Sequence, residues 1–141
     1  MNDFIISCLE RLKEKNIPNA DIDLRVLLNY SKYSKNEIIL SSFNLDQINI
    51  NLFNNVLNRR LSNEPISKII NKKNFWKDEF YVNEFVLDPR PETEGIVEEC
   101  IKLIKNKNAS IKILDIGTGS GALAISLARE FINANIKAID I

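Results

Sequence analysis

The run from residue 111 to residue 141 constrains the fold most. It comprises an apolar strand at Ile111–Ile116, the turn Gly117-Thr118-Gly119-Ser120-Gly121, a helix over Ser120–Phe131, and a second strand, Ile136–Ile141, that carries Asp140. Strand, glycine turn, helix and a strand ending in an acid form one half of a nucleotide-type binding fold, with the acid placed to accept from ribose hydroxyls. The glycines allow a sharp turn with no side chain in a ligand's way. The amides at the helix start are expected to face an anionic group.

Two cofactor classes fit this plan. A dinucleotide fingerprint accepts Ala122 as its last small residue, and Asp140 lies at an acceptable distance, so spacing alone does not decide. Asp115, just before the turn, does. A carboxylate at the end of a buried strand is unfavourable without a partner. A cationic ligand supplies one, and S-adenosylmethionine carries both an ammonium and a sulfonium. The pyrophosphate of a nicotinamide dinucleotide would be repelled there. S-adenosylmethionine is the expected cofactor; a dinucleotide is the alternative.

Upstream, the apolar spacing is helical. Phe4, Ile5, Cys8, Leu9 and Leu12 make one stripe, Leu24, Leu27 and Leu28 a second, and Ile48, Leu52, Val56, Leu57 and Leu61 a third. Ser34 is expected to cap a brief helix through Ile38 and Ile39. No such helix buries its stripe alone, so a bundle of about four is expected. From Asn74 to Val86, aromatic and β-branched residues around Lys77-Asp78-Glu79 predict a β-hairpin. Pro91 then opens an amphipathic helix through Ile96, Val97, Cys100, Ile101 and Ile104, with Glu92 and Glu94 at its positive end. The overall class is α+β: a helical domain over 1–73, a hairpin linker over 74–90, and a Rossmann-like α/β domain over 91–141.

Composition narrows the chemistry. Lys and Arg balance Asp and Glu at 19 each, so no basic surplus points to direct nucleic-acid binding. The chain has no histidine, which removes Ser-His and Cys-His catalysis and histidine-ligated zinc from these residues. Cys8 and Cys100 lie far apart among apolar residues and are expected to be buried reduced thiols, with no metal site. No apolar run approaches the roughly 20 residues that span a bilayer, and the amino terminus lacks the charge pattern of a signal peptide. A cytoplasmic protein is expected.

Three segments together resemble a known family. Val86-Leu87-Asp88-Pro89-Arg90-Pro91-Glu92-Thr93-Glu94, Ile113–Gly121 and Ala138–Ile141 are similar to the HemK/PrmC family of peptide chain release factor glutamine methyltransferases. Arg60, Glu64-Pro65 and Phe75-Trp76 match the same pattern. The resemblance runs from about Arg59 to Ile141, and its Pro-Arg-Pro-Glu-Thr-Glu run separates the family from a sister family acting on a ribosomal protein. It implies methyl transfer from S-adenosylmethionine to the side-chain amide of the Gly-Gly-Gln glutamine in class 1 release factors. It further implies a docking bundle before a methyltransferase domain, and a monomer when intact.

By match to the motif, Gly117, Thr118, Gly119, Ser120, Gly121 and Asp140 are the expected cofactor contacts. Pro89 to Glu94 carry over as a segment near that site, with individual roles unassigned. The family usually has glycine where this chain has Asn63 and Asn71, tyrosine where it has Lys68, and an apolar residue where it has Gly95. Its Asn-Pro-Pro-Tyr loop, which orients the acceptor amide, does not occur in residues 1–141. The expectation is therefore an amino-terminal portion with no catalytic residue of its own and an uncovered sheet, inactive alone. A non-catalytic release-factor-binding module and the sister-family activity are the alternatives.

Overall fold

The computed structural model describes residues 2–141, which divide into two compact units, residues 2–70 and 71–141. The first unit is helical. Helix α1 (Asp3–Glu14) is capped by Asn2, whose side chain accepts from the Phe4 N–H at 2.9 Å. Helices α2 (Ala20–Tyr30), α3 (Ile50–Leu61) and α4 (Ile66–Ile70) follow. Most of the expected stripes become its core: Ile5, Cys8, Leu12, Leu24, Leu27, Leu28, Ile48, Val56 and Leu57 are buried, whereas Leu52 is exposed and Phe53, outside the expected stripe, is buried instead. Between α2 and α3 the helix expected at Ser34 does not form. Instead the Asn29 side chain accepts from the Ile38 N–H at 3.0 Å, and Tyr33 donates its N–H to Gln47 O at 3.0 Å. Those bonds hold the segment in a bent, irregular path, and only short 3₁₀ turns form at Leu40–Ser42 and Leu45–Gln47.

Two arginines close this unit. Arg60 pairs with the largely buried Asp23 at 2.6 Å and donates to Glu64 O at 3.0 Å. Arg59 donates to Glu64 at 2.8 Å, and that hydrogen bond holds the Glu64 carboxyl below its usual range. Asn63 and Asn71 both adopt left-handed backbone, at φ 64° and 57°. Asparagine does so more readily than other residues with a Cβ, so neither position requires glycine.

The second unit opens with a tight hairpin. Strand β1 (Lys72–Phe75) pairs antiparallel with β2 (Asp78–Tyr81), and Phe75 faces Asp78 across the turn. The turn is therefore Trp76-Lys77, one residue earlier than the expected Lys77-Asp78-Glu79. Two-residue hairpin turns need positive φ, normally supplied by Asn or Gly. Here Trp76 takes it, at φ 56°. Helix α5 (Pro91–Leu103), strand β3 (Lys112–Ile116), helix α6 (Ala122–Glu130) and strand β4 (Asn135–Ile139) complete the unit.

β3 and β4 run parallel, in register from Lys112↔Asn135 to Ile116↔Ile139, with α6 as the crossover between them. Val97, Ala122, Leu127 and Phe131 form the core with Phe75 and Phe80, and Ile111, Ile113 and Ile136 pack against it. On the sheet, Leu114, Ile116 and Ile139 are exposed. Cys8 is buried as expected, but Cys100 is only half-buried; neither forms a disulfide. Among the described residues no helix is long and apolar enough to cross a membrane.

Glu130, the last residue of α6, is buried and has three donors. The Trp76 indole N–H reaches it at 2.9 Å, the Lys107 ammonium at 2.8 Å, and the Lys77 ammonium as a further ion pair. The two lysines, Lys107 foremost, with the indole draw its carboxyl from 4.5 down to about 2. Because the folded value lies below the unfolded one, this stabilisation is complete above the unfolded value and disappears as pH falls from 4.5 to about 2. Thermal melts across that window are expected to show the chain losing stability more steeply than its Glu130→Gln variant. Parallel curves would contradict the assignment.

Candidate functional site

The glycine turn lies at the carboxyl ends of the two parallel strands, where open α/β sheets place their ligands. Gly117, Gly119 and Gly121 have φ of 76°, 55° and 76°. A side chain at any of them would be strained even where space is free. Helix α6 starts directly from Gly121, whose carbonyl accepts the Ile125 N–H at 2.9 Å.

The turn is tied down from behind. Ile139 O accepts from Gly117 N–H at 2.8 Å and from Thr118 N–H at 3.1 Å, while Gly121 N–H donates to Thr118 O at 2.9 Å. Gly119 N–H donates to the Asp140 carboxylate, and Ile141 N–H donates to its other oxygen at 2.9 Å. These two amides, that of Ile141 first, hold the Asp140 carboxyl below its usual range. Four amides of the loop are thus satisfied within the chain, so the open anion cradle expected from the sequence is reduced. The reason is the tightness of the turn, which folds three of these N–H groups back onto Ile139 and Asp140 and the fourth onto Thr118.

A cleft of about 190 Å³ faces the turn. Gly117, Thr118, Gly119 and Ser120 line it, together with Asp115; Gly121 sits behind at the helix start and Asp140 at the strand end. Asp115 is half-buried, and its Oδ2 accepts from the Thr118 hydroxyl at 2.8 Å. The partner that this acid required is therefore partly supplied by the loop itself. Asp88, Pro89, Arg90 and Thr93 line the same cleft, with Leu87 and Phe75. The proline-rich segment and the glycine loop, distant in sequence, thus contribute to one site.

Thr93 lies in the Pro89 to Glu94 segment expected near the site, whereas sequence reasoning missed Phe75, Leu87 and Asp88 as lining residues. Leu87 and Asp88 belong to the motif quoted above, so a signal was present. Phe75 was matched with Trp76 to the same pattern, but its strand position pointed only to a core role. The Glu94 side chain, unassigned from sequence, accepts the Trp76 backbone N–H at 2.9 Å.

No family model matches the chain. Individual relatives do. A release factor glutamine methyltransferase of Buchnera aphidicola subsp. Baizongia pistaciae is 39% identical over 129 residues, covering 90% of this chain and 46% of that protein. One from Flavobacterium psychrophilum is 41% identical over 121 residues, covering 82% of this chain and 42% of the relative. The chain belongs to the HemK/PrmC family. A bifunctional methyltransferase of Rickettsia felis is also similar, at 35% identity over 94% of this chain and 30% of its own length. The chain spans less than half the length of these HemK/PrmC relatives.

Two alanine substitutions with opposite signs test the backbone reading. Gly119→Ala places a Cβ at φ 55° and is expected to destabilise by about 1 kcal/mol, although its nearest contact, Val86, lies at 3.8 Å. Gly95→Ala, inside α5 with open space around the new Cβ, is expected to stabilise by about 0.5–1 kcal/mol. Urea unfolding of the variants measures both, and the same sign for both would refute it.

Proposed function

We propose that the protein to which these residues belong is a release factor glutamine methyltransferase that uses S-adenosylmethionine. The observation that carries the cofactor assignment is the inward use of the glycine-loop amides beside a carboxylate in the cleft. A dinucleotide would need outward amides for its pyrophosphate and would meet Asp115. S-adenosylmethionine has no phosphate, and its amino-acid end carries both an ammonium and a carboxylate. Asp115 and Arg90, lining the same cleft, match that pair of charges. Asp140 keeps further acceptor capacity on its two oxygens for ribose hydroxyls.

When bound, the cofactor supplies an electrophilic methyl group. The chain's own contribution is to bind and orient: Gly117 to Ser120 form the floor, Asp115 is steadied by Thr118, and Asp140 sits at the edge of the turn. The acceptor is the glutamine amide of a Gly-Gly-Gln motif in a class 1 release factor. That assignment is supported by the names of the relatives and by the Pro89 to Glu94 segment. A side-chain amide nitrogen is a weak nucleophile and must be held with its lone pair toward the methyl group. Residues 1–141 include no Asn-Pro-Pro-Tyr segment to do so, and on this reading they bind cofactor without transferring the methyl group.

Calorimetric titration of the chain with S-adenosylhomocysteine is expected to show binding that millimolar NAD leaves unchanged. Asp140→Ala should weaken it by about tenfold, the worth of one charge-assisted hydrogen bond. Stronger binding of NAD would overturn the cofactor reading. Labelled methyl incorporation into a purified release factor by these 141 residues would overturn their inactivity.

A further inference from the structure

Trp76 is the chain's single tryptophan, and its backbone lies in a region that a bulky residue rarely adopts, with φ 56°. Such a conformation is strained and persists only where surrounding contacts over-determine it. Here those contacts are two carboxylates from two different helices. Glu94, in the first turn of α5, accepts the backbone N–H at 2.9 Å. Glu130, closing α6, accepts the indole N–H at 2.9 Å. The Lys77 ammonium lies 5.4 Å from the indole centroid and also pairs with Glu130, as does Lys107. The turn of the hairpin is thereby held to both helices.

That arrangement bears on the cleft. Phe75, the residue before Trp76, is buried in the core and lines the cleft together with the glycine loop. Thr93, the residue before Glu94, lines it too. Ala122 and Leu123, which begin α6, complete the same surface. Each element fixed by the Trp76 clamp contributes a wall.

We infer that Glu94 and Glu130 are positioning residues, which act through Trp76 to set Phe75 and Thr93 at the cofactor cleft. This rests on the reading of that cleft as the S-adenosylmethionine site. It gives the last acid of the Pro-Arg-Pro-Glu-Thr-Glu run a role that is neither a cofactor contact nor a helix-dipole complement. Trp76 reports on the clamp directly, since release of the indole exposes it to a soluble quencher.

The test compares Glu94→Ala, Glu94→Gln and Glu130→Ala with the unaltered chain, by acrylamide quenching of tryptophan emission and by titration with S-adenosylhomocysteine. Both alanine variants are expected to raise quenching and to raise Kd about tenfold, with unchanged far-ultraviolet circular dichroism. Glu94→Gln is expected to restore both values, because the Trp76 N–H needs an acceptor and not a charge. Should Glu130→Ala unfold, leaving Lys77 and Lys107 without their acid, the Glu94 pair decides alone. Unchanged affinity in the folded alanine variants overturns the proposal, as does Glu94→Gln binding no better than Glu94→Ala. Failure of the unaltered chain to bind S-adenosylhomocysteine overturns the cofactor reading instead. The two failures are separable because quenching needs no ligand.

Discussion

The carbonyl of Ile139 accepts two amides of the glycine loop, and much of the candidate site follows from that closure. It becomes possible because β3 and β4 run parallel, which brings the end of the second strand beside the start of the turn. A parallel pair cannot be joined by a short hairpin, so the crossover helix α6 must begin at the loop. The turn then has little choice of conformation. Its three glycines are left-handed, its amides point backward, and its open side is left for whatever occupies the cleft.

The hairpin that brings Phe75 to the same cleft has less local support. The hairpin has only four residues in each strand, and two-stranded ribbons are marginal in water. Its turn carries tryptophan where asparagine or glycine would be expected. Stability comes from elsewhere: Phe75 and Phe80 sit in the core of the second unit, in an edge-to-face arrangement at 6.2 Å. The acids of α5 and α6 fix the turn residue through its backbone N–H and its indole N–H respectively. One wall of the site is therefore determined by local backbone chemistry, the other by long-range polar contacts.

This division explains what could be read from the amino-acid order. The helical stripes through Cys8, Leu27 and Val56, the apolar strand before Gly117 and the crossover after it are periodic or glycine-marked. Periodicity and glycine are local signals. The register of the hairpin was displaced by one residue because Trp76-Lys77 is a poor turn on propensity alone, and its support comes from Glu130, 54 residues away. The helix expected after Ser34 failed for the same kind of reason, since Asn29 takes the Ile38 amide. Asp115 was recognised as an acid needing a partner, but a hydroxyl three residues on, Thr118, supplied one that spacing did not reveal.

The left-handed positions outside the cofactor loop have a further consequence. The chain has only four glycines, three of them within residues 117–121. Elsewhere, positive φ is taken by Asn16, Asn19, Asn63 and Asn71, and by Trp76. A chain this sparing of glycine acts as a sieve on its own backbone. Where only the dihedral angle matters, asparagine has been accepted. Where the dihedral must coincide with an unobstructed surface, glycine remains. In this chain the left-handed glycines therefore mark the turn that borders the cleft, while Gly95, inside α5, carries no such meaning.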